Sequence, residues 1–326
     1  MASIIIMASL RTIPSRLPPV LRGILWMLLA ALMFSGLNTT VRLASSEVPV
    51  LEVMFFRNFF NLVFMLPWLF QIGFAALRTE RLGLHALRSG FGLTSMFLQF
   101  TALSLMPLAE ATALSFSTPL FATIGVALIV GEKVRARRWC AIIVGFLGVL
   151  IMLQPWSVEV SVPAMMMLTG SMIVGGGFTC VKLLSRTESP NVMVLYMGLF
   201  MAPVSLIPAL FVWVWPSPLG WFYLVCVGTC ATLAHLCFNR AFAAADASAV
   251  LPFDYTRLLI VAFFGFVLFG EMPGFWTWIG AGTIVAANIY IAQREAARAR
   301  TEMRAERSAK DAQTLASAAA ADKLVP

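Results

Sequence analysis

The chain has 326 residues, 60% of them hydrophobic and 12% charged, with a mean hydropathy of +0.89 and a formal net charge of +8. A soluble domain is near half apolar and a quarter charged, so this composition excludes a soluble globular protein and leaves a polytopic membrane protein. The basic residues are dispersed between apolar runs rather than gathered on one amphipathic surface, which sets nucleic-acid binding aside.

Residues 1–22 carry a short apolar patch, Ile4–Ile6, ahead of Arg11, Arg16 and Arg22. A secretory signal has its basic region first, so this stretch reads as a cytoplasmic lead. Ten apolar segments follow, at 23–43, 50–73, 86–106, 109–130, 137–154, 162–184, 190–214, 218–243, 247–269 and 275–293. Each is near the ~20 residues that cross ~30 Å of hydrocarbon. The connectors are short, which makes consecutive segments antiparallel neighbours. Residues 294–326 switch to charge and alanine and read as a solvated cytoplasmic tail.

Alternate connectors carry the base: Arg78, Arg81 and Arg88; Lys133, Arg135, Arg137 and Arg138; Lys182 and Arg186; Arg240. The intervening ones carry Glu47, Glu52, Glu159 and Glu271. By the positive-inside rule both termini are cytoplasmic, and ten is the number of segments that closes this alternation. The five cysteines, Cys140, Cys180, Cys226, Cys230 and Cys237, lie within apolar runs. Cys226 and Cys230 share a helix face but lack a nearby His or carboxylate, so the reading is packing, with no disulfide, metal or cofactor.

The chain is built twice. Ala102 to Trp139, ALSLMPLAEATALSFSTPLFATIGVALIVGEKVRARRW, returns in degraded form from Ala241 to Trp278, at a constant offset of 139 positions. Gly131–Glu132 meets Gly270–Glu271, and Trp139 meets Trp278. Five segments per half is an odd number, so the second half is inverted. Inverted repeats place a site near the midplane, where rocking one half on the other opens it to alternate sides.

The stretches PLAEATALSFSTPLFATIGVALIVGE with RRWCAIIVGFLGVLIML, and GEMPGFWTWIGAGTIVAANIYI in the second half, resemble the two EamA domains of the drug/metabolite transporter superfamily. The resemblance implies an all-α integral membrane fold of ten transmembrane helices in two inverted five-helix EamA repeats, at 23–154 and 162–293. It also implies that segments one, three, four, six, eight and nine surround a central cavity, with five and ten outside, near a partner protomer where one exists. Relatives carry amino acids, adenosylmethionine, vitamins such as riboflavin, metallophores and drugs. The chain is expected in the inner membrane as a monomer or homodimer.

Ionisable groups at membrane depth cost about 2.5–3.5 kcal/mol on insertion scales and mark function. Asp254, Tyr255 and Arg257 in segment nine form the first candidate. Asp254 and Arg257, three apart, share a helix face and offset each other's charge. At the repeat offset they meet Ser115 and Thr118 of segment four. Pro119 and Pro252 interrupt these two segments and free backbone carbonyls. Arg257 suits an anionic or carbonyl-rich group, Tyr255 stacking, and Asp254 an amine or a coupling proton; the competing reading is a closed ion pair. Arg57, with Asn58 and Asn61, is the second candidate. It can instead snorkel to the outer end, bonding carbonyls or Glu52. Glu110 at the entrance of segment four reads as a gate or a proton acceptor, or as a helix N-terminal charge. Gln99, Ser104 and Asn38 lie near it, and His235 and Asn239 share a face of segment eight beside Arg240. Glu132 and Glu271 are assigned to folding or gating. Gly145, Gly148 and Gly175–Gly177 allow close helix approach.

An intramembrane enzyme needs a nucleophile–base pair or a metal set, and the chain has only two His, with His85 read as lying in a connector. A channel needs a repeated filter or rings of like charge, which are absent. The resulting expectation is a secondary transporter of a small polar metabolite. Phe97, Phe100, Phe116, Phe253 and Tyr255 beside hydrogen-bonding groups, with riboflavin carriers among the relatives that the resemblance implies, favour riboflavin-type uptake; lipid-facing or core packing accounts for the same aromatics equally well. An amino acid or adenosylmethionine-like solute, export of a drug or metabolite, and a non-transporting scaffold or receptor are the alternatives.

Overall fold

The computed structural model describes residues 18–73, 79–130, 136–154, 160–184, 187–188, 190–245, 250, 253–291, 293 and 297. The candidates Glu132, Lys133, Arg135, Glu159, Arg186 and Pro252, the lead before residue 18 and the tail from 298 lie outside them. The described residues are helical and contain no strand. The first three segments are α1 (Pro19–Ala44), α2 (Val50–Ile72) and α3 (Leu82–Leu105). Segment four is two helices, α4 (Leu108–Ser115) and α5 (Thr118–Val130). Then come α6 (Ala136–Leu153), α7 (Val162–Leu184), α8 (Pro190–Phe211), α9 (Pro218–Ala244), α10 (Thr256–Phe269) and α11 (Phe275–Ile291). Among the described residues three helices, Pro19–Ala44, Val192–Phe211 and Pro218–Phe242, are long and apolar enough on their own to cross a membrane. Ten membrane segments in two inverted halves make up the fold.

The exceptions to continuous helix matter most. Segment four breaks at Phe116 and Ser117, just before Pro119, which lacks the N–H that would bond back to the Ser115 carbonyl. Segment nine breaks at Tyr255, just ahead of α10. Phe116 and Tyr255 are equivalent positions at the 139-residue offset. Both halves therefore interrupt the same helix at the same place.

The packing repeats as well. α1 lies on α9, and the exchange of halves turns that pair into α7 on α3, which is also observed. Likewise α5–α7 exchanges with α10–α1, and α2–α9 with α8–α3. The pair α2–α8 maps onto itself and so lies on the pseudo-two-fold axis. Inside, the helices bury polar groups such as Ser35, Arg57, Asn58, Asn61, Ser95 and Asn288. Outside they expose large apolar side chains, among them Leu199, Ile207, Leu210, Phe263 and Phe275, as a lipid-facing surface requires.

Two sequence readings change here. His85 belongs to the first turn of α3 rather than a connector; it is 1% exposed and stacks on Tyr196 at 4.5 Å. Arg88 and Arg240 are also helical: Arg88 donates to the Met193 carbonyl at 2.9 Å, and Arg240 lies 4.9 Å from the Trp26 ring centroid. Long basic side chains reach partners from inside a helix, so charge marks a connector only to within a turn or two.

The glycines divide by location. A Cβ on Gly175 would meet Ala122 N at 2.7 Å, and one on Gly145 would meet Leu120 Cδ1 at 2.5 Å. Gly176 faces open space, so the triple glycine works through Gly175. α6 crosses α11 at Gly148 and Gly280, where a Cβ on Gly280 would lie 2.6 Å from the Gly148 carbonyl oxygen and 2.8 Å from Met152 Cβ. Overpacking of this kind costs about 1–3 kcal/mol. Gly280→Ala should therefore lower the melting temperature of the detergent-purified protein, whereas Gly282→Ala, with nothing within 4 Å, should leave it unchanged.

Candidate functional site

The two helix breaks face each other. The Phe116 ring meets the Tyr255 ring edge-on, with centroids 4.9 Å apart. A break in mid-membrane frees carbonyls that need donors from protein. Asn288 of α11 supplies one, donating to the Phe116 carbonyl at 2.7 Å. Ser117 and Ser115 turn their hydroxyls back onto the Leu114 and Thr112 carbonyls, each at 2.7 Å. Ser35 of α1 donates to the Arg257 carbonyl at 3.3 Å.

Arg257, in the first turn of α10, is sandwiched between aromatic faces, 4.8 Å from the Phe116 centroid and 5.4 Å from that of Phe34. Its Nε is buried without a hydrogen-bond partner. Asp254 Oδ1 is buried and unpartnered too. These two charges do not form the ion pair that their spacing suggested. The i, i+3 relation needs continuous helix, and α10 begins at Thr256, between them.

Arg57 of α2 is linked to Phe34 through His235. It is 6% exposed and donates to Asn58 Oδ1 at 2.9 Å and to His235 Nε2 of α9 at 3.1 Å. A guanidinium only donates, so His235 accepts with a lone pair and leaves the Arg57 charge uncompensated. The His235 ring packs edge-on against Phe34 at 5.4 Å. Arg57 thus neither snorkels outward nor bonds Glu52, whose Oε1 instead accepts from the Val214 N–H at 2.6 Å. Asn58 continues to Ser205 of α8 at 3.3 Å, and Asn61 to Thr232 at 3.5 Å.

Other candidates fall outside this cluster. Gln99 of α3 packs where Gly170 of α7 leaves room, and Phe97 is exposed. Asn38 donates to Thr112 of α4 at 3.2 Å. Thr118 and Asn239 are half-buried. Glu110 accepts from Thr277 of α11 at 3.4 Å, at the end of the bundle that holds Glu47. The central arrangement offers guanidinium donors, one carboxylate and aromatic planes. It suits a planar solute with a polar edge.

The profile of the EamA-like transporter family matches residues 21–154 and 162–293. The chain belongs to the EamA-like transporter family. It is 34% identical over 287 residues to a riboflavin transporter of Vibrio cholerae serotype O1, covering 86% of this chain and 96% of that protein. It is 30% identical over 282 residues to an S-adenosylmethionine uptake transporter of Rickettsia prowazekii, covering 84% and 94%. A solved crystal structure superimposes with a TM-score of 0.57 at 20% identity, covering 84% of this chain and 96% of that one, which speaks to the fold alone.

In this EamA chain the second Gly-Glu has a definite mechanical role. Gly270, at φ +67°, ends α10 in the left-handed conformation, and its N–H bonds back to Phe266. The turn aims Glu271 across the bundle, where Oε2 accepts from the Leu108 N–H at 2.9 Å and so caps α4. Oε1 pairs with Arg42 of α1, which also donates to the Met106 carbonyl at 3.1 Å and lies over Phe269. One carboxylate ties α1, α4 and α10 together at the Glu47 end.

Sequence reasoning missed Arg42, Phe34 and Asn288. Arg42 had a signal, being a lone base at an end otherwise marked by acids. Asn288 had another, as the single asparagine in the apolar run of segment ten. Phe34 had none among 26 phenylalanines. Glu271→Gln retains an acceptor for Leu108 but loses the ion pair, and Glu271→Ala loses both. Stability in thermal melts should fall in the order wild type, Gln, Ala, with the Ala variant down by roughly 1–3 kcal/mol. Equal melting of wild type and Gln would show that the ion pair adds nothing.

Proposed function

We propose that this EamA transporter takes up a riboflavin-type vitamin by alternating access, with both termini cytoplasmic. The observation that carries the reading is the junction of the two helix breaks. There Phe116, Tyr255 and Phe34 line a buried place beside two guanidinium groups that no carboxylate neutralises. Broken helices meeting near the midplane of inverted repeats are where secondary transporters hold solutes. The full-length similarity to a riboflavin transporter agrees with this chemistry.

Asp254, Tyr255, Arg257, Arg57 and His235 form the binding set in this reading, and Asn38, Ser115, Thr118, Gln99 and Asn239 belong to the surrounding walls. Glu271 and Arg42 close the Glu47 end, with Glu110 beside them, and opening that end to the outside requires their bonds to part. A second reading, uptake of an amino acid or adenosylmethionine-like solute, is favoured by the unpartnered carboxylate oxygen of Asp254, which suits an ammonium.

Labelled riboflavin offered to proteoliposomes tests the proposal. Saturable uptake is expected, reduced by about tenfold or more in Arg257→Ala. Riboflavin-independent uptake of adenosylmethionine would instead support the second reading. A folded protein that moves neither solute would support a scaffold or receptor role.

A further inference from the structure

We infer that the cluster at the helix breaks recognises a cyclic-imide edge, a planar –CO–NH–CO– unit, with Arg257 donating to a carbonyl and Asp254 accepting the N–H. The inference rests on the riboflavin-type reading and specifies which edge of such a ring is held.

Arg257 Nε and Asp254 Oδ1 are both buried and both without hydrogen-bond partners, although only two residues separate them in the chain. A buried donor and a buried acceptor left unmade each carry a desolvation cost, and mutual pairing is the ordinary solution. Here the start of α10 at Thr256 holds them apart on either side of Tyr255. A solute that satisfies both must present an acceptor and a donor side by side on one rigid edge. An imide does so, because its N–H lies between two carbonyls in one plane.

The surroundings select the ring and the charge. Arg257 lies over the Phe116 and Phe34 rings, and Phe116 abuts Tyr255, so aromatic surface adjoins the polar pair. Arg57, Arg257 and Arg240 contribute three guanidinium groups on α2, α10 and α9. The described carboxylates on or next to these helices, other than Asp254, lie at the Glu47 end. Glu52 accepts from Val214 and Glu271 pairs with Arg42. The local field is therefore positive, which opposes a sulfonium or ammonium and favours a neutral or anionic ring. In a flavin the pyrimidinedione supplies the imide through its N3–H and flanking carbonyls, and the rest of the ring system supplies the plane.

The test is equilibrium binding to the purified full chain, read by quenching of flavin fluorescence, with riboflavin and 3-methylriboflavin as probes. Methylation removes the single N–H and keeps the ring, the carbonyls and the ribityl chain. Wild type should bind 3-methylriboflavin about tenfold or more weaker than riboflavin, the loss of one charge-assisted hydrogen bond. Asp254→Ala should bind the two alike, and neither adenosine nor adenosylmethionine should displace riboflavin at matched concentration. Equal wild-type affinity for the two flavins would overturn the imide assignment while leaving riboflavin as substrate. So would a methylation penalty that survives in Asp254→Ala. The wild-type comparison needs no variant to fold. Absence of riboflavin binding to folded wild type would remove the substrate reading and the inference together.

Discussion

In hydrocarbon a peptide group has no water to turn to, and this one constraint accounts for most of the structure. A membrane helix can break only where other parts of the protein complete its hydrogen bonds. Segments four and nine both break, at Phe116 and Tyr255, and both breaks face inward toward each other. The repair at Phe116 comes from a neighbouring element: Asn288 of α11 reaches its carbonyl. Moving that break to the lipid face would leave the Phe116 carbonyl unmatched. The fold thus gathers irregular backbone, aromatic rings and charge into one buried place.

The charges there follow a second logic. Several buried ionisable groups outside this cluster have partners. Glu52 meets a backbone N–H, Arg88 a backbone carbonyl, and Glu271 both an N–H and a guanidinium. Arg257 and Asp254 depart from that pattern, and Arg57 is matched only by neutral partners, Asn58 and His235.

The Gly-Glu pair shows how one dipeptide serves both demands. Glycine ends α10 with a positive φ that a β-carbon would strain, and the following glutamate is thereby aimed at the N-terminus of α4 in the other half. A helix cap from one repeat to the other makes closure of the Glu47 end a property of both repeats together. Arg42 adds a third helix to the same carboxylate.

The sequence by itself determined the class, the number of membrane segments, the duplicated plan and the identity of the two interrupted helices. Each of these follows from composition, apolar run length, proline and a fixed offset, all of which are local along the chain. It also supplied Asp254, Tyr255, Arg257, Arg57 and His235 as residues too polar to be idle at depth. Only the tertiary structure decided how they are partnered. The helical spacing of Asp254 and Arg257 suggested a closed pair, but the pairing rule holds only within continuous helix, and the break lies between them. The approach of Arg57 to His235 spans 178 positions, and that of Arg257 to Phe34 spans more than two hundred. Contacts of that range depend on how the two halves are laid against each other, and no local pattern encodes them. Phe34 is one apolar side chain among many until α1 is placed between α9 and α10, where it packs against both Arg257 and the His235 ring.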